Sequence, residues 1–141
     1  MDRMGVLANY FTMGLGTARL PINSHNDTAG IEKSVRLILN TLEAGVNYID
    51  TSYPYSAGGA HPALKLAFEQ TNKPYSVTVK VIYQSDKTAD EAKRRVELQL
   101  KSLGIDRAAF FLCWSIPSYE QFIEIMRKGG VYDGALKLRD E

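Results

Sequence analysis

Tyr75-Ser-Val-Thr-Val-Lys-Val81 is the stretch on which the reading of the chain turns. Val77, Val79 and Val81 alternate with Ser76, Thr78 and Lys80, the two-residue period of an extended strand. Three valines on one side call for cover by helices, and the polar set is expected to face elsewhere. Toward the C-terminus, Thr88-Ala-Asp-Glu91 has the form of a capping box. The helix behind it is expected to bury Ala92, Val96, Leu100 and Leu103 and to stop at Gly104. Ala109–Trp114 reads as the next strand. Ser118-Tyr-Glu-Gln121 is a second capping box, opening a helix with Phe122, Ile125 and Met126 on one face. Gly129 and Gly130 end it, and Val131 to Glu141 has room for one more short helix.

The same alternation runs toward the N-terminus. Val46–Asp50 reads as a strand leading into a polar, glycine-rich loop, Thr51 to Ala60. Pro62 suits a first helical position, with Leu64, Ala67 and Phe68 on the buried face. Asp27 and Thr28 offer caps to a helix running to about Ala44, in which Ile31, Val35, Ile38 and Leu42 share one face. Gly45 stands where that helix should stop, and Phe11 to Thr17 reads as the first strand. The order is βαβαβαβα. Strands joined by crossover helices run parallel, so the fold class is α/β. No linker or low-complexity run interrupts residues 1–141, which read as a single domain.

Of the 141 residues, 45% are hydrophobic and 23% charged, which excludes a disordered or coiled-coil chain. Seventeen basic against sixteen acidic residues leave a net charge of +1, giving no surface for nucleic acid or an acidic membrane. The eight tyrosines are scattered and make no stacking platform for bases. The single cysteine, Cys113, rules out an internal disulfide and points to a reducing, cytoplasmic setting. The opening MDRMGVLANYFTMGLG lacks the features of a signal peptide, and no run of about 18 apolar residues predicts a membrane span. His25 reads as a solvated loop residue, while His61 either caps a helix or enters a pocket. Two histidines give little basis for a metal site, and none is expected. Gly14-Leu-Gly16 lacks the third glycine of a dinucleotide fingerprint.

In parallel α/β folds, ligand sites gather at the carboxyl ends of strands. That rule selects Gly14-Leu-Gly-Thr17, Asp50, Tyr53 and Tyr55, Lys80, and Cys113-Trp114. Asp50, Lys80 and a tyrosine form a chemically coherent set. An ammonium is costly to bury alone, and a carboxylate on the next strand offsets that cost. A cation beside a phenol lowers its pKa from roughly 10, so that it donates a proton nearer neutral pH. The same residues also fit a plain structural reading, with Lys80 a snorkelling edge residue and Asp50-Thr-Ser a turn.

Tyr48-Ile-Asp-Thr-Ser-Tyr-Pro-Tyr55 resembles the aldo-keto reductase signature, Asp-Thr-small-x-x-Tyr. Leu15-Gly-Thr-Ala-Arg-Leu-Pro21 resembles that family's first strand, and Val77-Thr-Val-Lys80 its lysine strand. Ser102-Leu-Gly-Ile-Asp-Arg107, followed by Phe-Phe-Leu-Cys-Trp114, resembles the approach to its fourth strand. The resemblance implies Tyr55 as general acid, Lys80 as the group that lowers its pKa, and Asp50 as the carboxylate that holds the lysine. It implies NADPH as hydride donor, a small aldehyde or ketone as substrate, and Thr17, Ala18 and Asp50 beside the nicotinamide. Tyr55, not Tyr53, stands five residues after the aspartate. Cys113 occupies the place of the family's histidine, next to Trp114 in the substrate pocket.

A complete barrel of this family has eight βα units, and a typical barrel of this type needs about 250 residues. The sequence accounts for four, a (βα)4 half of a TIM-type (β/α)8 barrel. Most contacts to the cofactor's phosphate and adenine belong to the other half in the family, so weak or absent NADPH binding is expected. Open edges and a bare inner face imply a homodimer, through sheet edges or the barrel face. The alternatives are a flattened three-layer sandwich in fold and a catalytically silent fragment or interaction domain in function.

Overall fold

The computed structural model describes residues 9–140, so the N-terminal reading over residues 1–8 and the last residue, Glu141, lie outside the described part. Four strands alternate with helices: β1 (Leu15–Gly16), α1 (Thr28–Glu43), β2 (Tyr48–Asp50), a 3-10 turn (Tyr55–Gly58), α2 (Ala60–Phe68), β3 (Ser76–Ile82), α3 (Ala89–Leu103), β4 (Phe110–Trp114), α4 (Tyr119–Met126) and α5 (Val131–Asp140). The sheet is open, with strand order β1-β2-β3-β4. Leu15 pairs with Ile49 and Gly16 with Asp50 in parallel register, and Tyr48, Ile49 and Asp50 pair with Ser76, Val77 and Thr78. The α/β reading with parallel strands therefore holds. Contacts group the chain into two compact units, one ending at Thr78 and one beginning at Val79, and the division falls inside β3.

In the first unit, α1 packs on α2. Val35, Ile38 and Leu42 are buried as their spacing requires, together with Ala63, Leu64, Ala67 and Ile49. Asp27 caps α1 by accepting a hydrogen bond from the Gly30 amide, and Gly45, at a φ of 92°, ends the helix as expected. The first strand is much shorter than the expected Phe11–Thr17. Phe11 and Met13 are exposed, and the Asn47 side chain holds the chain at residues 9 and 11. Its Oδ1 accepts from the Phe11 amide at 2.8 Å and its Nδ2 donates to the Asn9 carbonyl at 2.7 Å. Pro62 falls two residues inside α2 rather than at its first position, because the chain enters this helix through the 3-10 turn. Its missing N–H still lies in the first turn, where amides lack an intrahelical partner. Phe68 is half-buried and stacks on Tyr75 with ring centroids 4.0 Å apart.

In the second unit, α3 packs against α5, and Val79, Val81, Ala92, Val96, Leu103, Ile125 and Val131 are buried. Gly134 of α5 lies against the Ala89 backbone at the start of α3, where any Cβ would clash. The capping box at Thr88 and Glu91 is present in both directions. Two helical faces differ from expectation. Gln99, not Leu100, is the buried residue of the third turn of α3. In α4 only Ile125 is buried, while Phe122 and Met126 remain exposed. On β3, Thr78 and Lys80 are buried along with the valines, so both sides of this strand are covered.

Candidate active site

In the first unit, the carboxyl ends of β1 and β2 are tied together by hydroxyl groups. The Thr17 amide donates to the Asp50 carbonyl at 3.0 Å, continuing the β1–β2 ladder by one residue. The Thr17 hydroxyl donates to the same carbonyl at 3.0 Å and lies 2.9 Å from the Thr51 hydroxyl. The Thr17 carbonyl accepts from the Ser56 hydroxyl at 2.8 Å, so every polar group of this fully buried residue is engaged. Ser56 also accepts from the Leu20 amide at 2.9 Å. Asp50 is half-buried, and Ala18, beyond the end of β1, is exposed.

Tyr55 opens the 3-10 turn and is half-buried, with its amide donating to the Ser52 carbonyl at 3.1 Å. The turn after it is left-handed for three consecutive residues: Ser56 (φ 52°), Ala57 (φ 53°) and Gly58 (φ 83°). Tyr53 is 55% exposed and presents an edge contact to His61, with ring centroids 6.0 Å apart. His61 is buried in the first turn of α2, and burial pushes its pKa down from 6.5 to about 4. It is a neutral imidazole at pH 7.

In the second unit, Lys80 is only 6% exposed. Its backbone is gripped by the fully buried Gln99 side chain of α3. Nε2 of Gln99 donates to the Lys80 carbonyl at 2.7 Å, and the Lys80 amide lies 3.4 Å from Gln99 Oε1. The readable signal for Gln99 was a carboxamide at the centre of an otherwise apolar helical face, in register with Ala92, Val96 and Leu103. Beyond β3, the buried Asp86 carboxylate accepts from Arg95 Nε and Nη2, each at 3.1 Å, and faces the Ile82 amide at 3.3 Å. On β4, Cys113 is half-buried and Trp114 is exposed. Burial, and secondarily the Asp86 charge, raises the Cys113 pKa, so the thiol is protonated at neutral pH. Among the described residues no group of three His, Cys, Asp or Glu side chains is placed to hold a metal. None of the helices described is long and apolar enough to cross a membrane.

Parallel strands linked by helices, with hydroxyl groups collected at the carboxyl ends of β1 and β2, define a member of the (βα)-repeat class that builds TIM-type barrels. The family model for the aldo/keto reductase family matches residues 12–129. The chain belongs to the aldo/keto reductase family. A putative aldo-keto reductase from Pseudomonas aeruginosa superposes with a TM-score of 0.69 at 21% identity, over 90% of this chain and 49% of its own. An aldo-keto reductase from Klebsiella pneumoniae in complex with NADPH gives 0.63 at 22% identity, over 82% and 40%. A Klebsiella pneumoniae structure in complex with NADP and acetate gives 0.64 at 23%, again over 82% and 40%. At these identities the likeness establishes the fold. The chain spans half or less of the length of these solved structures. No curated protein sequence matches it significantly.

Proposed function

We propose that this chain carries the proton-transfer half of a carbonyl reductase site and acts in NADPH-dependent reduction of an aldehyde or ketone. The observation that carries the reading is family membership over residues 12–129 with Asp50, Tyr55 and Lys80 all standing in the signature positions. Tyr55 is the general acid, giving its phenolic proton to the carbonyl oxygen as that oxygen gains charge. Lys80 is the cation that favours the resulting phenolate, and its low exposure suits a charge meant to act at short range. Asp50 is the carboxylate that holds the lysine. Cys113 and Trp114 belong to the substrate pocket, where a neutral thiol is a weak hydrogen-bond donor.

NADPH, when bound, supplies the hydride that goes to the carbonyl carbon. Exposed Ala18 and half-buried Asp50, on adjoining strand ends, suit the nicotinamide end of such a cofactor. Thr17, with all its polar groups engaged internally, contributes by fixing that edge. Titration by NADPH fluorescence tests the cofactor, and no binding at high micromolar concentration removes the hydride source. Tyr55→Phe is expected to abolish reduction of a test aldehyde while preserving affinity. Unchanged turnover would rule that tyrosine out.

Two further expectations belong to the same reading. Leu112 and Trp114 on β4, with Phe122, Ile123 and Met126 on α4, leave an exposed apolar surface. A second copy of this chain is the partner it suits, since two sets of four βα units make the eight of a barrel. Light scattering at the mass of a monomer in dilute solution refutes the dimer. A reducing, cytoplasmic compartment suits the free Cys113 thiol. The competing reading is a catalytically silent relative, favoured by Cys113 standing where the family has histidine, and it requires the NADPH titration to be blank.

A further inference from the structure

We infer that Ser56 is a positioning residue for Tyr55, holding the phenol's backbone against the strand that ends at Asp50. The inference rests on the reading of Tyr55 as the general acid. The loop after Tyr55 holds an unusual backbone that this reading does not require. Residues 56 and 57 are serine and alanine, yet both adopt left-handed backbone, at φ 52° and 53°. For a residue with a Cβ, that conformation is disfavoured, and it persists only where surrounding contacts over-determine it. Gly58 and Gly59 follow immediately, so glycine was available to this loop and is not the residue used at 56.

The Ser56 side chain supplies the reason. It is buried, and its hydroxyl makes two hydrogen bonds 36 and 39 residues away in sequence, accepting from the Leu20 amide and donating to the Thr17 carbonyl. Thr17 in turn holds the Asp50 carbonyl through both its amide and its hydroxyl. A continuous line of hydrogen bonds therefore runs from the residue after the candidate acid to the backbone of the candidate carboxylate. Glycine in place of Ser56 would relax the backbone and cut the line. Serine keeps the line at the expense of the backbone. The backbone that carries the phenol is thus held on both sides of Tyr55, by the Tyr55–Ser52 hydrogen bond before it and by the Ser56 hydroxyl after it.

The test uses the full chain carrying 13C-labelled tyrosine, with the Tyr55 ring signal assigned by its loss in Tyr55→Phe. Ser56→Ala removes the hydroxyl and keeps the disfavoured backbone. Ser56→Gly removes the hydroxyl and relieves the backbone, so it is expected to be the more stable of the two variants. In both variants the Tyr55 signal is expected to shift and broaden, while that of Tyr75, stacked on Phe68, stays in place. For aldehyde reduction, kcat is expected to fall about tenfold or more, the scale of a small misplacement at a reacting centre, with the KM for NADPH changed less than about threefold. A Ser56→Gly protein with an unaltered Tyr55 signal overturns the inference, whatever its turnover. If the unmodified chain shows no turnover, the reductase reading fails on its own, and the Tyr55 signal still decides whether Ser56 positions that ring.

Discussion

The two units hold their candidate groups by different means. In the unit ending at Thr78, Tyr55 sits on a loop, and its place depends on small hydroxyls and a disfavoured turn. In the unit beginning at Val79, Lys80 sits inside a strand, and a long carboxamide from a well-capped helix clasps its backbone. The difference teaches that a loop can match the precision of a strand only by recruiting many weak bonds. Each bond there is exposed to competing backbone geometries. A strand residue inherits its direction from the pleat, and one helix side chain suffices to finish the job.

The comparison can be broken at several points. The largest effect is expected in the first unit and depends on pH. His61 is neutral when folded, with its pKa lowered by burial from 6.5 to about 4. The unfolded chain takes up a proton below 6.5, so the stabilisation is full above that value and declines as the pH falls toward 4. At pH 4 the loss is roughly 3 kcal/mol. Urea unfolding of the unmodified chain and of His61→Gln at pH 7 and pH 4.5 checks this, and equal pH slopes in the two would refute it. In the second unit, Arg95→Met strands the buried Asp86 carboxylate and is expected to cost about 2 to 3 kcal/mol, because one partner of a mostly buried pair is removed. Gln99→Leu leaves the Lys80 backbone groups without the carboxamide and is expected to cost about 2 kcal/mol in the same denaturation assay. Thr88→Ala, the smallest, removes one half of a capping box and is expected to lower stability by about 1 kcal/mol, read as a drop in Tm. If Gln99→Leu proves harmless while Ser56→Gly disorders its loop, the contrast between the units sharpens. If Ser56→Gly is silent, it disappears.

Regular periodicity made much of this fold legible. Val77, Val79 and Val81, the α1 face at Val35, Ile38 and Leu42, and the Thr88–Glu91 box stand where their spacing requires, with Ile31 of that face only half-buried. The signature residues led from those elements to Asp50, Tyr55 and Lys80 as candidates. Other features escaped for definite physical reasons. Leu100 fits a helical stripe as well as Gln99 does, and only the demand of the Lys80 backbone for partners brings the glutamine inward. Phe122 and Met126 share a face with Ile125, but apolar character does not ensure cover, and both remain open to solvent. The left-handed turn at Ser56 and Ala57 has no compositional marker, because residues with a Cβ reach it only through contacts made far along the chain. The first strand is shorter than its pattern suggested, and at its expected start the Phe11 amide goes to the Asn47 side chain, a competition between a side chain and a ladder that alternation patterns do not encode.

Cys113 carries one last consequence. The lowered acidity of its sulfur leaves almost no thiolate at pH 7. Alkylating reagents and peroxide, which attack through the anion, should therefore consume it more slowly than an unhindered thiol such as free glutathione. Air oxidation of this sulfhydryl, and cross-linking between molecules through it, should be correspondingly slow.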